Sequence, residues 1–122
     1  MKKEKVAILG ASKDPSRYAY KAFQMLREYG HEPLPVTPKF DQLEGVPAVA
    51  RLSDLKTPID TLTMYVGPAI SSKLLDEVLA LKPGRVIFNP GSENPELIAA
   101  LEKAGIPVVE GCTLVMLRTR QF

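Results

Sequence analysis

Runs of consecutive apolar residues alternate along this chain with segments in which apolar positions recur every three or four residues. The first run is Val6-Ala7-Ile8-Leu9, closed by Gly10. Four apolar residues without alternation fit a strand of a parallel sheet covered on both faces. Ala19, Ala22, Phe23 and Leu26 then fall at helical spacing, with Lys21, Arg27 and Glu28 on other faces and Gly30 as the stop. That spacing predicts an amphipathic helix packed on a sheet. Pro33-Leu34-Pro35-Val36-Thr37-Pro38 reads as a second strand despite its prolines. Pro33 and Pro35 direct their missing N–H groups to one side, so pairing should be weak on that side. From Lys39 to Pro58 the pattern is irregular and predicts a loop with one short extended segment and one helical turn near Ser53-Asp54-Leu55.

Thr61 to Val66 is a third strand, ended by Gly67-Pro68, and Ile70, Leu74, Val78 and Leu81 mark one face of the helix after it, closed by Pro83-Gly84. Arg85 to Asn89 is a fourth strand, stopped by Pro90-Gly91. Asn94 as cap and Pro95 at the first position open another helix, with Leu97, Leu101 and Ala104 inward and Gly105 at its end. Ile106 to Val109 makes a fifth strand, and the apolar tail from Thr113 to Leu117 packs back as a short helix or extended segment.

Alternating strands and helices predict an α/β fold: one domain over residues 1–122, with a doubly wound parallel five-stranded sheet of Rossmann-like type and helices on both faces. The expected strand order is 3-2-1-4-5. In such sheets ligands bind beyond the carboxyl ends of the strands at the switch point, expected here between the first and fourth strands. The loops that meet there run from Gly10 to Arg17, Thr37 to Lys39, Val66 to Pro68 and Asn89 to Ser92.

The first of these loops carries the chemistry. Gly10, Ala11 and Ser12 let backbone N–H groups approach a ligand closely, and Asp14 or Ser16 can cap the next helix with Pro15 in its first turn. Free N–H groups and the positive dipole end there suit an anion such as phosphate. The dinucleotide pattern G-x-G-x-x-G is not met, since Ser12 and Pro15 occupy its second and third glycine positions. A small-residue turn without a ligand is the plain alternative. At the end of the second strand an NAD site usually places a carboxylate, whereas here the residues are Thr37-Pro38-Lys39. A cation there suits an adenosine that carries an extra ribose phosphate, as in coenzyme A or NADP, and Arg17 supplies a second cation. The plain reading of Lys39 is an exposed loop lysine.

Composition narrows the partners. Of 122 residues, 45% are apolar and 25% charged, ordinary for a globular protein, and no apolar run approaches the roughly 20 residues that cross a bilayer. Lys2, Lys3 and Lys5 lead into a strand without the long apolar segment of a leader, so a cytoplasmic location is expected. The net charge of +2 is too small to suggest nucleic acid. Cys112 is the single cysteine and His31 the single histidine; the first reads as a small buried hydrophobe and the second as a plain surface residue. No histidine, cysteine or carboxylate pair is placed as an acid-base or nucleophile set, so the expectation is binding without chemistry.

Taken together, Gly10-Ala11-Ser12 with Pro15 and Arg17-Tyr18-Ala19-Tyr20, Pro35-Val36-Thr37-Pro38, Tyr65-Val66-Gly67-Pro68 and Asn89-Pro90-Gly91-Ser92-Glu93 resemble a family. It is that of the coenzyme A-binding domain proteins related to the amino-terminal domain of the succinyl-CoA synthetase alpha subunit. The resemblance covers nearly the whole chain. It implies coenzyme A as ligand, a cradle at Gly10, Ala11 and Ser12, and Arg17 and Lys39 near phosphates, with Tyr18 beside them. It also implies that Pro38, Val66, Gly67 and Pro68 flank the adenosine and that Asn89, Pro90 and Gly91 border the pantetheine. Thr37 stands where members of the family often have Asn, and Pro33 adds a strand proline. The synthetase also uses a phosphorylated histidine on a second domain, which His31 does not match. The expected function is therefore a coenzyme A or acyl-CoA binding protein, non-catalytic on its own, that serves as sensor, carrier or partner subunit and could pair with itself or another protein. Two alternatives stay open: an NADP-dependent oxidoreductase-like protein, or an interaction module with a decayed ligand site that uses Tyr18, Tyr20 and Phe40.

Overall fold

Val6, Ala7 and Ile8 are fully buried because the strand they form is central and covered on both faces. In the computed structural model, which describes residues 2–122, β1 (Lys5–Leu9) pairs on one side with β2 (Glu32–Val36) and on the other with β3 (Thr61–Met64). β4 (Arg85–Phe88) and β5 (Val108–Glu110) follow outward from β3, and every pairing in this sheet is parallel. The fold class read from the sequence holds: a doubly wound α/β fold of Rossmann-like type around five parallel strands.

Its strand order is 2-1-3-4-5, which corrects the expected 3-2-1-4-5. Thr61–Met64 lies on the far side of β1, not outside β2. The prolines supply the reason. Glu32 N–H donates to the Glu4 carbonyl and Gly10 N–H to the Val36 carbonyl, so β2 uses its non-proline donors toward β1. The nitrogens of Pro33 and Pro35, whose side chains are buried, therefore lie on the outer edge, where a strand would find no donors. Among the described residues one bridges that edge: Val49 N–H donates to the Pro35 carbonyl at 3.1 Å and its carbonyl accepts from Thr37 N–H at 2.8 Å. The switch point accordingly lies between β1 and β3.

α1 (Tyr18–Glu28) and α5 (Thr113–Arg118) cover one face of the sheet, burying Ala19, Phe23, Leu26 and Leu117 against Val6 and Ile8. α3 (Leu75–Leu81) and α4 (Pro95–Lys103) cover the other, with Val78, Leu97 and Leu101 against Ala7, Leu62, Val86 and Phe88. The helix expected as one piece after β3 is broken. α2 (Pro68–Ser71) gives way to a 3-10 turn over Ser72–Leu74 before α3 begins, and Ile70 points outward at 54% exposure. Asn94 explains the break, because its Nδ2 donates to Ser71 Oγ at 2.8 Å and Ser72 Oγ at 3.0 Å while its Oδ1 caps α4 by accepting from Leu97 N–H. Between β2 and β3 a small antiparallel ribbon, Gln42–Leu43 with Val46–Pro47, turns through Glu44 and Gly45, both at positive φ. No helix among the described residues is long and apolar enough to cross a membrane.

Three further side chains differ from their expected placement. Ala104, expected to face inward, is the exposed C-cap of α4, because the helix ends at Lys103 before its inner face comes round again. His31 is buried, with Nδ1 accepting from Glu4 N–H at 3.0 Å and its ring 5.0 Å from that of Phe122. It directly precedes β2, and the chain end at Phe122 packs against it. Cys112 is half-buried at the N-cap of α5 and not a core residue.

Candidate functional site

The carboxyl ends of β1, β2 and β3 open into a cleft of about 950 Å³, within the size range of small-molecule and cofactor sites. Of the residues singled out in the sequence, Gly10, Ala11, Ser12, Arg17, Tyr18, Pro38, Lys39, Val66, Gly67, Pro90 and Gly91 all line it. Pro68 and Asn89 do not.

Gly10 sets the geometry of the first loop. Its φ of +88° is a left-handed conformation that favours glycine, and a Cβ there would meet Val66 Cγ1 at 2.8 Å. The β1 loop therefore lies directly against the β3 loop across the switch point. Ser12 Oγ accepts from Asp14 N–H at 3.0 Å, and Asp14 Oδ1 in turn accepts from Ser16 N–H at 3.0 Å and from Ser16 Oγ at 2.8 Å. These bonds from Ser16 hold the Asp14 carboxyl below the usual carboxylate range. Asp14 thus caps the loop itself and not α1, which corrects the expected cap, and Pro15 precedes the helix. Arg17 is the N-cap of α1, and no side chain caps that end. Its first N–H groups are left open beside Tyr18 and Ala19 on the cleft wall.

Three cations stand on the wall: Lys13, Arg17 and Lys39. Among the described residues none of them is in an ion pair; the pairs are Arg27–Glu44, Arg51–Glu77 and Arg85–Glu4. Asp14 is the one carboxylate on the wall among the described residues, and Ser16 already engages it. Thr37, buried behind Lys39, accepts from Lys39 N–H through Oγ1 at 3.3 Å, which fixes the loop that presents the lysine. Lys13 was missed in the sequence, although it directly follows Gly10-Ala11-Ser12. Its Nζ lies 4.9 Å from the centre of the Phe40 ring, another wall residue.

Asn89 has a different place from the one implied. It is buried, with Nδ2 donating to Thr63 Oγ1 at 2.7 Å and the Met64 carbonyl at 2.9 Å, while Oδ1 accepts from Thr113 N–H at 2.9 Å. Its own carbonyl accepts from Ser92 N–H and Ser92 Oγ. Asn89 therefore braces the turn that carries Pro90 and Gly91 into the wall. Thr63 and Thr113 bond each other at 2.8 Å in the same buried cluster. Beside them the Tyr65 hydroxyl is buried without a well-formed hydrogen bond, and burial pushes it up to about 12. Pro68 sits at the first position of α2 after Gly67, exposed and off the wall. Tyr20 is also off the wall, its hydroxyl donating to the Glu44 carboxylate and accepting from Gln24 Nε2.

Unpaired cations, an uncapped helix start and close-lying small residues form a donor set matched to phosphate oxygens. Comparison with known proteins bears on which phosphate ligand. The chain is 31% identical over 116 residues to the alpha subunit of an ADP-forming acetate–CoA ligase II from Pyrococcus furiosus, with 85% of this chain aligned but only 25% of the ligase subunit. It spans about a quarter of that relative. It is 26% identical over 106 residues to the uncharacterized protein YneT of Bacillus subtilis, covering 87% of this chain and 78% of that one. A solved structure from Thermus thermophilus superposes with a TM-score of 0.90 at 46% identity, covering 98% of this chain and 91% of the other. A family profile described as CoA binding domain matches residues 4–118, and the chain belongs to that family.

Proposed function

We propose that this protein binds coenzyme A or an acyl-CoA in the cleft at the β1/β3 switch point and does no chemistry on its own, serving in the cytoplasm as a sensor, a carrier or a partner subunit. The observation that carries the reading is the set of three cations, without ion-pair partners among the described residues, around one cleft in a chain of the CoA-binding domain family. The Gly10-Ala11-Ser12 turn and the open start of α1 receive the diphosphate, and Lys39 takes the ribose phosphate. The absence of His31 and Cys112 from the wall, and the engagement of Asp14 by Ser16, support binding without catalysis.

Thermal unfolding with coenzyme A, dephospho-coenzyme A, NADP and NAD at matched concentrations tests it. A ligand at 100 times its dissociation constant adds roughly 2.7 kcal/mol, so selective stabilisation by coenzyme A is the expected result. A shift with NADP alone moves the function to nicotinamide chemistry. No shift with any of the four overturns the reading in favour of an interaction module.

A further inference from the structure

We infer that Lys13 is a second cation for the ribose phosphate of the bound nucleotide, held ready over Phe40, and that Phe40 becomes a wall for the nucleotide base once Lys13 turns to the phosphate. The inference rests on the coenzyme A reading above.

Lys13 belongs to the loop after β1 and Phe40 to the loop after β2, and both line the cleft. The ammonium lies 4.9 Å from the ring centre, close enough for attraction to the negative face of the ring. No carboxylate competes for it among the described residues: Asp14, next in sequence, accepts from Ser16, and Lys13 is in no ion pair. An exposed cation over a phenyl ring is weakly held, whereas a charge-assisted bond to phosphate is strong. A phosphate that enters the cleft therefore draws Lys13 away.

The position of Phe40 indicates which phosphate. Phe40 follows Lys39 directly, so the Lys13 ammonium and Lys39 border the same end of the cleft, the end bounded by β2, while Arg17 marks the start of α1. A phosphate monoester carries a charge of about −1.5 to −2 near neutral pH. Two ammonium groups balance it where one does not. Phe40 is half-buried, packed on its other side against the core cluster that holds Ala11 and Leu43. That packing seats the ring, and moving Lys13 uncovers an apolar face beside the phosphate, where an aromatic base can stack.

Calorimetric titration of the full chain with coenzyme A and dephospho-coenzyme A tests this, using Lys13→Ala, Lys13→Arg and Phe40→Leu; the last keeps an apolar side chain against the core while removing the ring. Lys13→Ala is expected to weaken coenzyme A about tenfold, to leave dephospho-coenzyme A within about twofold and to reduce the salt dependence of coenzyme A binding. Lys13→Arg should retain most of the affinity, and Phe40→Leu should weaken both ligands by a similar factor. Equal effects of Lys13→Ala on both ligands, or none, overturn the inference while leaving the coenzyme A reading intact. So does Phe40→Leu binding both as well as the native chain. A native chain that binds neither ligand overturns the reading, and the inference with it.

Discussion

The two ends of the sheet use their charged groups in opposite ways. At the amino ends of the strands, Glu4 accepts from Thr61 Oγ1 at 2.6 Å and pairs with Arg85 at 3.5 Å. Arg85 Nε donates to the same Thr61 hydroxyl at 2.8 Å, and its guanidinium stacks over the Phe122 ring at 4.5 Å. Asp60 accepts from Lys5 N–H at 2.8 Å, and His31 accepts from Glu4 N–H. At the carboxyl ends, Lys13, Arg17 and Lys39 face one cleft with no ion-pair partner among the described residues. One end is a network that ties strands together through internal partners, with His31 Nε2 and Arg85 Nη2 left without a hydrogen bond. The other leaves its cations unpaired among the described residues, at the switch point where ligands of such sheets bind.

The contrast predicts which substitutions affect which property. Gly10→Ala should have the largest effect, because it combines a strained φ with a 2.8 Å approach to Val66. A loss of about 3 kcal/mol in urea unfolding is expected, and ligand stabilisation at the cleft should vanish in the fraction that still folds. At the opposite end, Arg85→Met removes the guanidinium from Glu4 and Thr61, which keep only their bond to each other, and should cost about 2 kcal/mol. Thermal shifts produced by ligand should stay those of the native chain. A change in ligand affinity there would show that the two ends are coupled.

The smallest effect is a pH dependence. Burial lowers the pKa of His31 from its ordinary 6.5, so the folded state favours the neutral ring. The stability tied to that ring is fully present above the unfolded value and is lost as pH falls through the lower folded value, at about 1.4 kcal/mol per unit of depression. Urea midpoints measured from pH 7.5 down to 5.5 should fall in the native chain and fall less in His31→Gln. Parallel curves would remove His31 from the account.

Much of this was legible in the sequence, and the rest was hidden for reasons that can be named. Val6 to Leu9 fits a strand covered on both faces, and Asn94-Pro95 a helix start, and both stand in the structure. The strand order was missed although its cause was in view, because two prolines on one edge of β2 bar a neighbour and force the third strand to the other side of β1. His31 follows a helix-ending glycine, which suits an exposed residue, and the groups it packs with, Glu4 and Phe122 at the two ends of the chain, are distant in sequence. Asn89 looked like a loop residue facing a ligand, and its four side-chain and backbone partners come from β3, α5 and its own turn. Most of the cleft wall could be read because small residues and prolines at strand ends have local causes. Lys13 could not be singled out, since its distinction is a ring 27 residues away.

The prolines of β2 have a consequence beyond topology. A sheet that ends in an open strand offers a template on which other copies can stack, the route to aggregates and fibrils. Here one border presents Pro33 and Pro35 and is latched by Val49, while the other is β5, three residues long and preceded by Pro107. Neither border can be extended far by another chain. The protein should therefore stay dispersed at high concentration, and replacing both β2 prolines by valine should turn a well-behaved sample into one that assembles.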